Sequence, residues 1–414
     1  MGKLKEIPNS WTAKLIPEVL FFQEGPGVRN WQFTKEGVKL LNVGNINNQQ
    51  LDLDATKVHL SNEEANEKYK HFLIDEGDLL IACSGIVVSN FHNKIAFAEK
   101  DHLPLCLNTS TMRFKSLNET INLNYFRYYL QTKHFTEQLQ KLITGSAQLN
   151  FGPSHIKKIE VLVPPLNQQK KIAAILDAAA IYRQKTKALI AKYDELTQSL
   201  FLDMFGDPVR NPFKWELRSC GDFINYIADI GSNGANSVVS EKLEMSDSED
   251  YAVMIRTTNL QRNDFINKIK YVSKEVYDFF KKSQVFGGEI IMNKIGSAGD
   301  FWIMPKLNKP VSLGLNQFVI RLADINLLYM YHFLSTDYGR VNIKSRCNGA
   351  ATKSITKSAV RELPILYPPL NLQNQFAERV AAIETQKAQS QVSLEKAEEL
   401  FASLLQRAFK GELV

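Results

Sequence analysis

The sequence predicts an α+β protein: two mixed α/β lobes separated by two long antiparallel helices, related by an internal pseudo-twofold repeat. Three observations predict it. Residues 161–206 and 365–411 have the same make-up: a short apolar strand, a Pro-Pro-Leu-Asn corner and a helical pattern free of Gly and Pro up to Gly206 and Gly411. The two copies lie 204 residues apart, so that Pro165, Leu166, Asn167 and Gln169 map onto Pro369, Leu370, Asn371 and Gln373. The rest of each half alternates short β-rich runs with turn residues. A fixed-period repeat of this kind dictates architecture before any single residue is read.

The repeat extends beyond the helices. Pro8, Trp11 and Lys14 map at the same offset onto Pro212, Trp215 and Arg218, residues 121–130 map onto 325–334, and Gly145-Ser146-Ala147 maps onto Gly349-Ala350-Ala351. The middles keep their order but drift in spacing: Gly77-Asp78-Leu79-Leu80 pairs with Gly288-Glu289-Ile290-Ile291, and Leu107-Asn108 with Leu315-Asn316. The chain therefore divides into a first lobe (1–163), a first helix (164–206), a second lobe (207–367) and a second helix (368–414).

Strands are expected within residues 38–46, 78–89, 109–116 and 158–164, with partners in 252–260, 289–296, 316–323 and 362–368. Residues 124–142 read as one helix. Residues 232–250 have no counterpart in the first half and read as a mobile insertion. Prolines break strand and helix alike, so each Pro-Pro pair is a corner, with Asn167 and Asn371 as expected helix caps.

Each long helix carries a stripe every seven residues: Ile172, Ala179, Thr186, Tyr193 and Leu200, becoming Phe376, Ile383, Ser390, Ala397 and Leu404 at the offset. A second seam reads Ile175, Tyr182, Leu189 and Leu196 in the first helix, and Val380, Leu394, Phe401 and Ala408 in the second. Heptads of this kind pack helix on helix. About 36 residues at ~1.5 Å each make a rod of roughly 55 Å, more than one small lobe can cover.

Bulk composition narrows the class. A chain of 414 residues exceeds one ordinary core, and 44% hydrophobic with 23% charged residues describes a soluble globular protein. The net charge of +6 permits a polyanionic partner without demanding one. Cys83, Cys106, Cys220 and Cys347 form no C-x-x-C pair and suit a reducing cytoplasm. No segment is long and apolar enough for a membrane span, so a cytoplasmic location is expected.

Catalytic signatures are missing. There is no P-loop, no H-E-x-x-H, no G-x-S-x-G and no Pro-Asp pair of the common nuclease motif. Tyr367-Pro-Pro-Leu370 has the wrong ends for a base-flipping amino-methyltransferase loop, and its copy is Val163-Pro-Pro-Leu166. No cofactor and no metal are expected on this chain.

Polar turns are present in both halves, at corresponding places and with different residues. In the first half they hold Asn45, Asn47, Ser84, Asn108, Ser110, Gly145, Ser146, Gln148 and Asn150, with Lys157 close behind. In the second they hold Arg256, Thr257, Asn259, Lys294, Ser297, Asn316, Gln317, Lys344, Arg346, Asn348, Gly349, Lys353 and Ser354. Lys, Arg and hydroxyl groups contact phosphates, whereas Asn, Gln and Arg read base edges. Two lobes that keep a frame but vary their contact residues suit two different DNA sequences. Ile172, Ala179, Tyr193, Leu200, Phe376, Ile383, Leu394, Phe401 and Leu404 are the expected helix- or subunit-packing residues.

Taken together, the P-x-x-W opening of each lobe, the Gly-Ser-Ala-type loop before the last strand, and PPL-x-x-Q running into a long helix resemble the specificity subunit of a type I restriction-modification system. The resemblance covers the whole chain. It implies that each lobe is a target recognition domain reading one half of a split, asymmetric double-stranded DNA site, and that the helices set the unread spacer. It implies as partners two methyltransferase subunits, which bring S-adenosylmethionine, and restriction subunits that translocate DNA. It also implies DNA-facing roles for 145–150 and 349–354, although GAATKS departs from the amide-rich GSAQLN. An enzyme in its own right lacks the motifs, and the repeated proline corner speaks against a simple scaffold. A stand-alone DNA-binding or methyltransferase-targeting protein outside a restriction system is the alternative.

Overall fold

A computed structural model describes residues 8–54, 56–143 and 148–413. Two compact units result, Met1–Lys187 with Val392–Val414, and Ala188–Gln391. Each unit combines a mixed α/β lobe with one half of each long helix.

In the first unit, strands Leu20–Glu24, Thr111–Ser116, Leu79–Ala82 and Ile95–Phe97 form an antiparallel sheet in that spatial order. A second sheet sets Leu105–Leu107 parallel to Val38–Leu41, with His59–Leu60 antiparallel on the other side. Thr12–Leu15 pairs with Glu160–Val163, Thr12 opposite Val163. The second unit repeats all three. Its first sheet runs Ile224–Ala228, Gln317–Leu322, Ile290–Asn293, Phe301–Ile303. Its second sets Ala252–Ile255 parallel to Val311–Leu313 and antiparallel to Lys270–Val272, and adds Gln284–Val285 at the far edge. Glu216–Ser219 pairs with Pro364–Tyr367, Glu216 opposite Tyr367, in the register of the first unit displaced by 204 residues. Runs such as Leu79–Ala82 and Ile290–Asn293, apolar but for Asn293, are buried at every position because sheet or helix covers both faces.

The expected helix at 124–142 is two helices, Leu123–Tyr129 and Lys133–Leu142. Thr132 caps the second, its Oγ1 accepting the N–H of Phe135 at 3.2 Å. Thr336 repeats this, accepting the N–H of Gly339 at 3.1 Å between Leu327–Ser335 and Asp337–Ser345. Residues 232–250 are not wholly irregular: they hold the helix Asn236–Lys242, whose Val239 packs with Ile230, Met254 and Phe280.

The long helices span Leu166–Phe205 and Leu370–Ala408, 40 and 39 residues. Asn167 and Asn371 lie inside the first turn and are not the caps. The corner is instead secured by buried glutamines. Gln169 donates to the carbonyl of Pro164 at 2.8 Å, and Gln373 to that of Pro368 at 2.8 Å.

The helices pair antiparallel within each unit. In the first, Ile172, Ala173 and Leu176 share a core with Phe401 and Ala408, Arg183 lies over the Phe401 ring at 4.5 Å, and Lys187 meets Glu398 at 3.1 Å. In the second, Phe376 contacts Phe201 and Phe205 at ring distances of 5.6 and 5.3 Å, and Lys387 pairs with Asp194. Ala179, Leu200 and Leu404 pack against these cores, while Tyr193 and Ile383 are half-buried. The second seam differs between helices. Val380, Leu394, Phe401 and Ala408 are buried, whereas Tyr182, Leu189 and Leu196 are exposed. A heptad reports apolar spacing, not the presence of a partner on that face.

Both helices stop at glycines in the left-handed region, Gly206 (φ +77°) and Gly411 (φ +72°). Each glycine lies against a proline, Pro212 and Pro8 respectively, with no room for a side chain between them.

Candidate nucleic-acid interface

Strand direction gathers the polar turns. Because Val38–Leu41 and Leu105–Leu107 run parallel, their exits at Asn42 and Asn108 are neighbours, and Asn108 Nδ2 donates to Asn42 Oδ1 at 2.8 Å. Because Leu79–Ala82 and Thr111–Ser116 run antiparallel, the exit of one lies beside the entry of the other, and Cys83 N–H donates to the Ser110 carbonyl at 2.7 Å. Phe151 then donates to the Cys83 carbonyl at 2.9 Å, while Asn150 Oδ1 accepts from Ser84 Oγ at 2.9 Å and from the Gly85 N–H at 2.7 Å. Four loops thus form one cluster.

The second lobe builds the same cluster. Lys294 N–H donates to the Asn316 carbonyl at 2.8 Å, Ile355 to the Lys294 carbonyl at 2.9 Å, and Gly296 to the Lys353 carbonyl at 3.0 Å. Thr257 Oγ1 reaches Asn293 Oδ1 at 2.8 Å. Gly85 and Gly296 occupy the same turn with φ of +68° and +83°. Asn348 and Ser354 exchange two backbone hydrogen bonds at 2.8 Å around Gly349, whose φ of +107° favours glycine.

The candidate residues sort into three groups. Asn45, Asn259 and Gln317 are buried and hold the frame. Asn45 Oδ1 accepts from Asn42 N–H at 2.9 Å, and Asn259 Oδ1 from Arg256 N–H at 3.2 Å. Gln317 Oε1 accepts from Gly314 N–H at 3.2 Å, matching Asn108 N–H on Thr111 Oγ1 at 3.3 Å in the first lobe. A second group is half-buried: Ser84, Asn108, Ser110, Arg256, Thr257, Lys294, Arg346 and Ser354. Arg346 donates to the carbonyl of Asn342 at 3.1 Å, and the Arg256 guanidinium to that of Lys268. The third group faces solvent: Asn47, Asn150, Lys157, Ser297, Asn316, Lys344, Asn348, Gly349 and Lys353. Gly145 and Ser146 lie outside the described residues. Gln148 pairs through its backbone with Val87.

Two cationic features of the cluster carry no local sequence signal. Lys94 Nζ donates to Asn47 Oδ1 at 2.7 Å and to the Val43 carbonyl at 3.1 Å, and burial pulls its pKa down. In the second lobe Asp229 pairs with Lys294 at 2.5 Å and Lys357 at 2.8 Å. Burial opposes its ionisation, but the hydrogen bonds from Lys294, Lys357 and Ser232 prevail and hold its pKa down to about 2. Asp229 thereby fixes two lysines next to the glycine turn. Among the described residues no cluster of His, Cys, Asp and Glu could hold a metal ion, and no helix is long and apolar enough to cross a membrane.

Two α/β lobes, each with the same loop cluster and each followed by a long helix, make a duplicated architecture. The family described as "Type I restriction modification DNA specificity domain" matches residues 16–192 and again 212–396. The chain belongs to that family, carries its domain twice and is of the specificity-subunit class. It is 21% identical over 440 residues to the StySPI specificity subunit of Salmonella potsdam, covering 99% of this chain and 90% of that one. It is likewise 21% identical over 439 residues to the EcoKI specificity subunit of Escherichia coli (strain K12), with the same two coverages. The fold matches the S subunit of a type I restriction-modification system from M. genitalium with a TM-score of 0.56 at 16% identity, over 99% of both chains. A chain from a type I R-M system, solved for its complex assembly and conformational transition, gives 0.57 at 16% identity over 99% of this chain and 100% of that one.

Proposed function

We propose that each lobe reads one half of a split, asymmetric DNA site and that the long helices set the spacer between the halves. The observation that carries this is the repeated loop cluster. Its frame residues match (Asn45 with Asn259, Gly85 with Gly296), whereas its half-buried and solvent-facing residues differ (Asn150 against Ser354, Ser110 against Asn316). A shared frame with unlike contacts is what two different half-sites require. In this reading residues 1–163 and 207–367 are the recognition domains, and 164–206 and 368–414 the spacer helices. The half-buried and solvent-facing groups supply the DNA contacts, and Asn45, Asn259 and Gln317 position them.

The chain supplies the address, and partner subunits the chemistry. Two adenine methyltransferase subunits dock on the helices, and restriction subunits join through the complex. Support for docking comes from Tyr182, Leu189 and Leu196, apolar, exposed and spaced by seven on one helix. Such surface suits a partner helix.

Replacing residues 1–163 by the corresponding lobe of another family member tests the reading. Methylation mapping in the host is expected to show one half of the recognised sequence changed and the other kept. Movement of both halves overturns it.

A further inference from the structure

The two most exposed large apolar side chains among the described residues are Ile266, 84% exposed, and Trp31, 79% exposed, one in each lobe. Single exposed apolar residues are common and by themselves mean little. These two stand on tips at different places in the two lobes, but each tip is fixed by a side chain and tied to its loop cluster.

Trp31 sits in the turn Asn30–Gln32. Buried Gln32 fixes that turn: its Oε1 accepts the Arg29 N–H at 3.1 Å, and its Nε2 donates to Glu64 at 2.9 Å and Tyr69 at 3.0 Å. The segment is tied to the loop cluster by Thr109, whose N–H and Oγ1 both donate to the Pro26 carbonyl, at 3.1 and 2.9 Å. Arg29, Asn30, Lys35 and Glu36 are exposed in the same segment.

Ile266 sits at a turn held by one carboxylate. Asp264 Oδ1 accepts the N–H groups of Ile266 at 3.0 Å and Asn267 at 2.9 Å, and Asn263 and Lys268 bracket it with φ of +47° and +51°. This tip too is tied to the cluster, through Asp264 N–H on the Asn259 carbonyl at 3.0 Å and the Arg256 guanidinium on that of Lys268. Arg262, Asn267 and Lys268 are exposed in the same segment.

We propose that Trp31 and Ile266 are apolar wedges, each inserting at a base step of double-stranded DNA beside the half-site its lobe reads. This rests on the reading that the loop clusters face DNA. A fixed tip holding an apolar side chain out in water, with cations and amides beside it, matches the needs of such a wedge. The apolar group unstacks a step while its neighbours contact phosphates and groove edges. The bend so produced selects deformable steps that no hydrogen bond reads.

The test uses the chain assembled with its methyltransferase subunits and a duplex carrying the recognition sequence mapped in the host. 2-Aminopurine replaces adenine at successive positions in and beside each half. Wild type is expected to raise the emission at one step per half. Trp31→Ala is expected to abolish the rise in the first lobe's half alone and to weaken binding about tenfold. Ile266→Ala is expected to do the same in the other half, and Trp31→Phe to retain most of both signals. Unchanged unfolding temperatures show that the variants fold. If emission and affinity are unchanged in both alanine variants while Lys353→Ala still weakens binding, the wedge is wrong and the face right. If Lys353→Ala is silent as well, both fall. Loss of subunit assembly with the DNA signal intact would mark the tips as protein contacts and overturn the proposal.

Discussion

Gln169 Oε1 accepts the backbone N–H of Asn122 at 2.7 Å, tying the first turn of the long helix to the start of a lobe helix. Its Nε2 binds the carbonyls of Pro164 and Thr120 at 2.8 and 3.1 Å, and the side chain is fully buried. Gln373 makes the same link to Asn326 N–H at 2.9 Å and Pro368 at 2.8 Å. The PPL-x-x-Q motif is therefore a clamp between corner, helix and lobe.

Gln169→Ala removes the partner of one donor and two acceptors, the Pro164 carbonyl buried and the Asn122 N–H and Thr120 carbonyl part-buried. An unsatisfied buried group costs about 1–3 kcal/mol, so a loss of about 2–4 kcal/mol is expected. It falls on the first unit's unfolding transition, and Gln373→Ala falls on the second's. Denaturant unfolding followed by hydrogen exchange reports the two separately. Equal loss in both units from either variant would refute a local clamp.

Glycine substitutions separate backbone strain from crowding. At Gly296 (φ +83°) an added Cβ meets nothing within 4 Å, so Gly296→Ala carries only the left-handed penalty of about 1–2 kcal/mol. At Gly206 (φ +77°) the Cβ would lie 2.4 Å from Pro212 Cγ, which adds an overpacking cost of about 1–3 kcal/mol. Thermal unfolding is expected to rank Gly206→Ala as clearly the more damaging. The reverse order would mean that the proline contact yields freely.

The repeat made the two-lobe fold and the proline corners legible, because matched residues 204 apart report a shared fold directly. The role of Gln169 was not legible, since its partner Asn122 is 47 residues away. Asn45 and Asn259 read as polar turn residues, but they lie in a 3-10 turn, Val43–Asn45, and a short helix, Thr257–Arg262, and their burial depends on which strands lie over them. The break at Thr132 had a signal, a helix-capping residue repeated at Thr336, masked by apolar residues on both sides. Lys94 and Asp229 escaped notice because their partners lie 47 and 65 residues off. Tyr182, Leu189 and Leu196 read as a seam because spacing alone cannot name the surface that covers it.

Acid is expected to weaken the second unit through His332. Burial, with Lys387 adding to it, pushes its pKa from 6.5 down to about 4, and its ring faces Phe376 at 5.5 Å. A histidine held neutral in the fold is protonated first in the unfolded chain. Its contribution is thus complete above pH 6.5 and is lost as the pH falls toward 4. The shift corresponds to about 3 kcal/mol. His332→Gln is expected to flatten stability across that window, as measured by urea unfolding at a series of pH values. An unaltered slope would assign the acid sensitivity elsewhere.

Salt dependence tests the loop cluster. Lys344 and Lys353 are exposed beside Asn348 and Gly349. If each neutralises one phosphate, replacing either by alanine lowers the slope of log affinity against log salt by about 0.9. The loss is expected on cognate and random DNA alike, since phosphates carry no sequence. A slope equal to that of wild type in both variants would remove these lysines from the interface.

The long helices offer a test that leaves every DNA contact untouched. Each is a single element, 40 and 39 residues, without internal Gly or Pro. Adding one heptad to both lengthens the pair by about 10.5 Å at 1.5 Å per residue and keeps the apolar stripes aligned. At 3.4 Å per base pair this corresponds to a spacer longer by about three base pairs. Selection from a library with randomised spacers is expected to recover the longer spacer with both half-sites unchanged. A four-residue insertion turns the stripe away from its partner and is expected to lower stability instead. Changed half-site bases after the heptad insertion would show that the helices take part in reading sequence, and the spacer role would have to be abandoned.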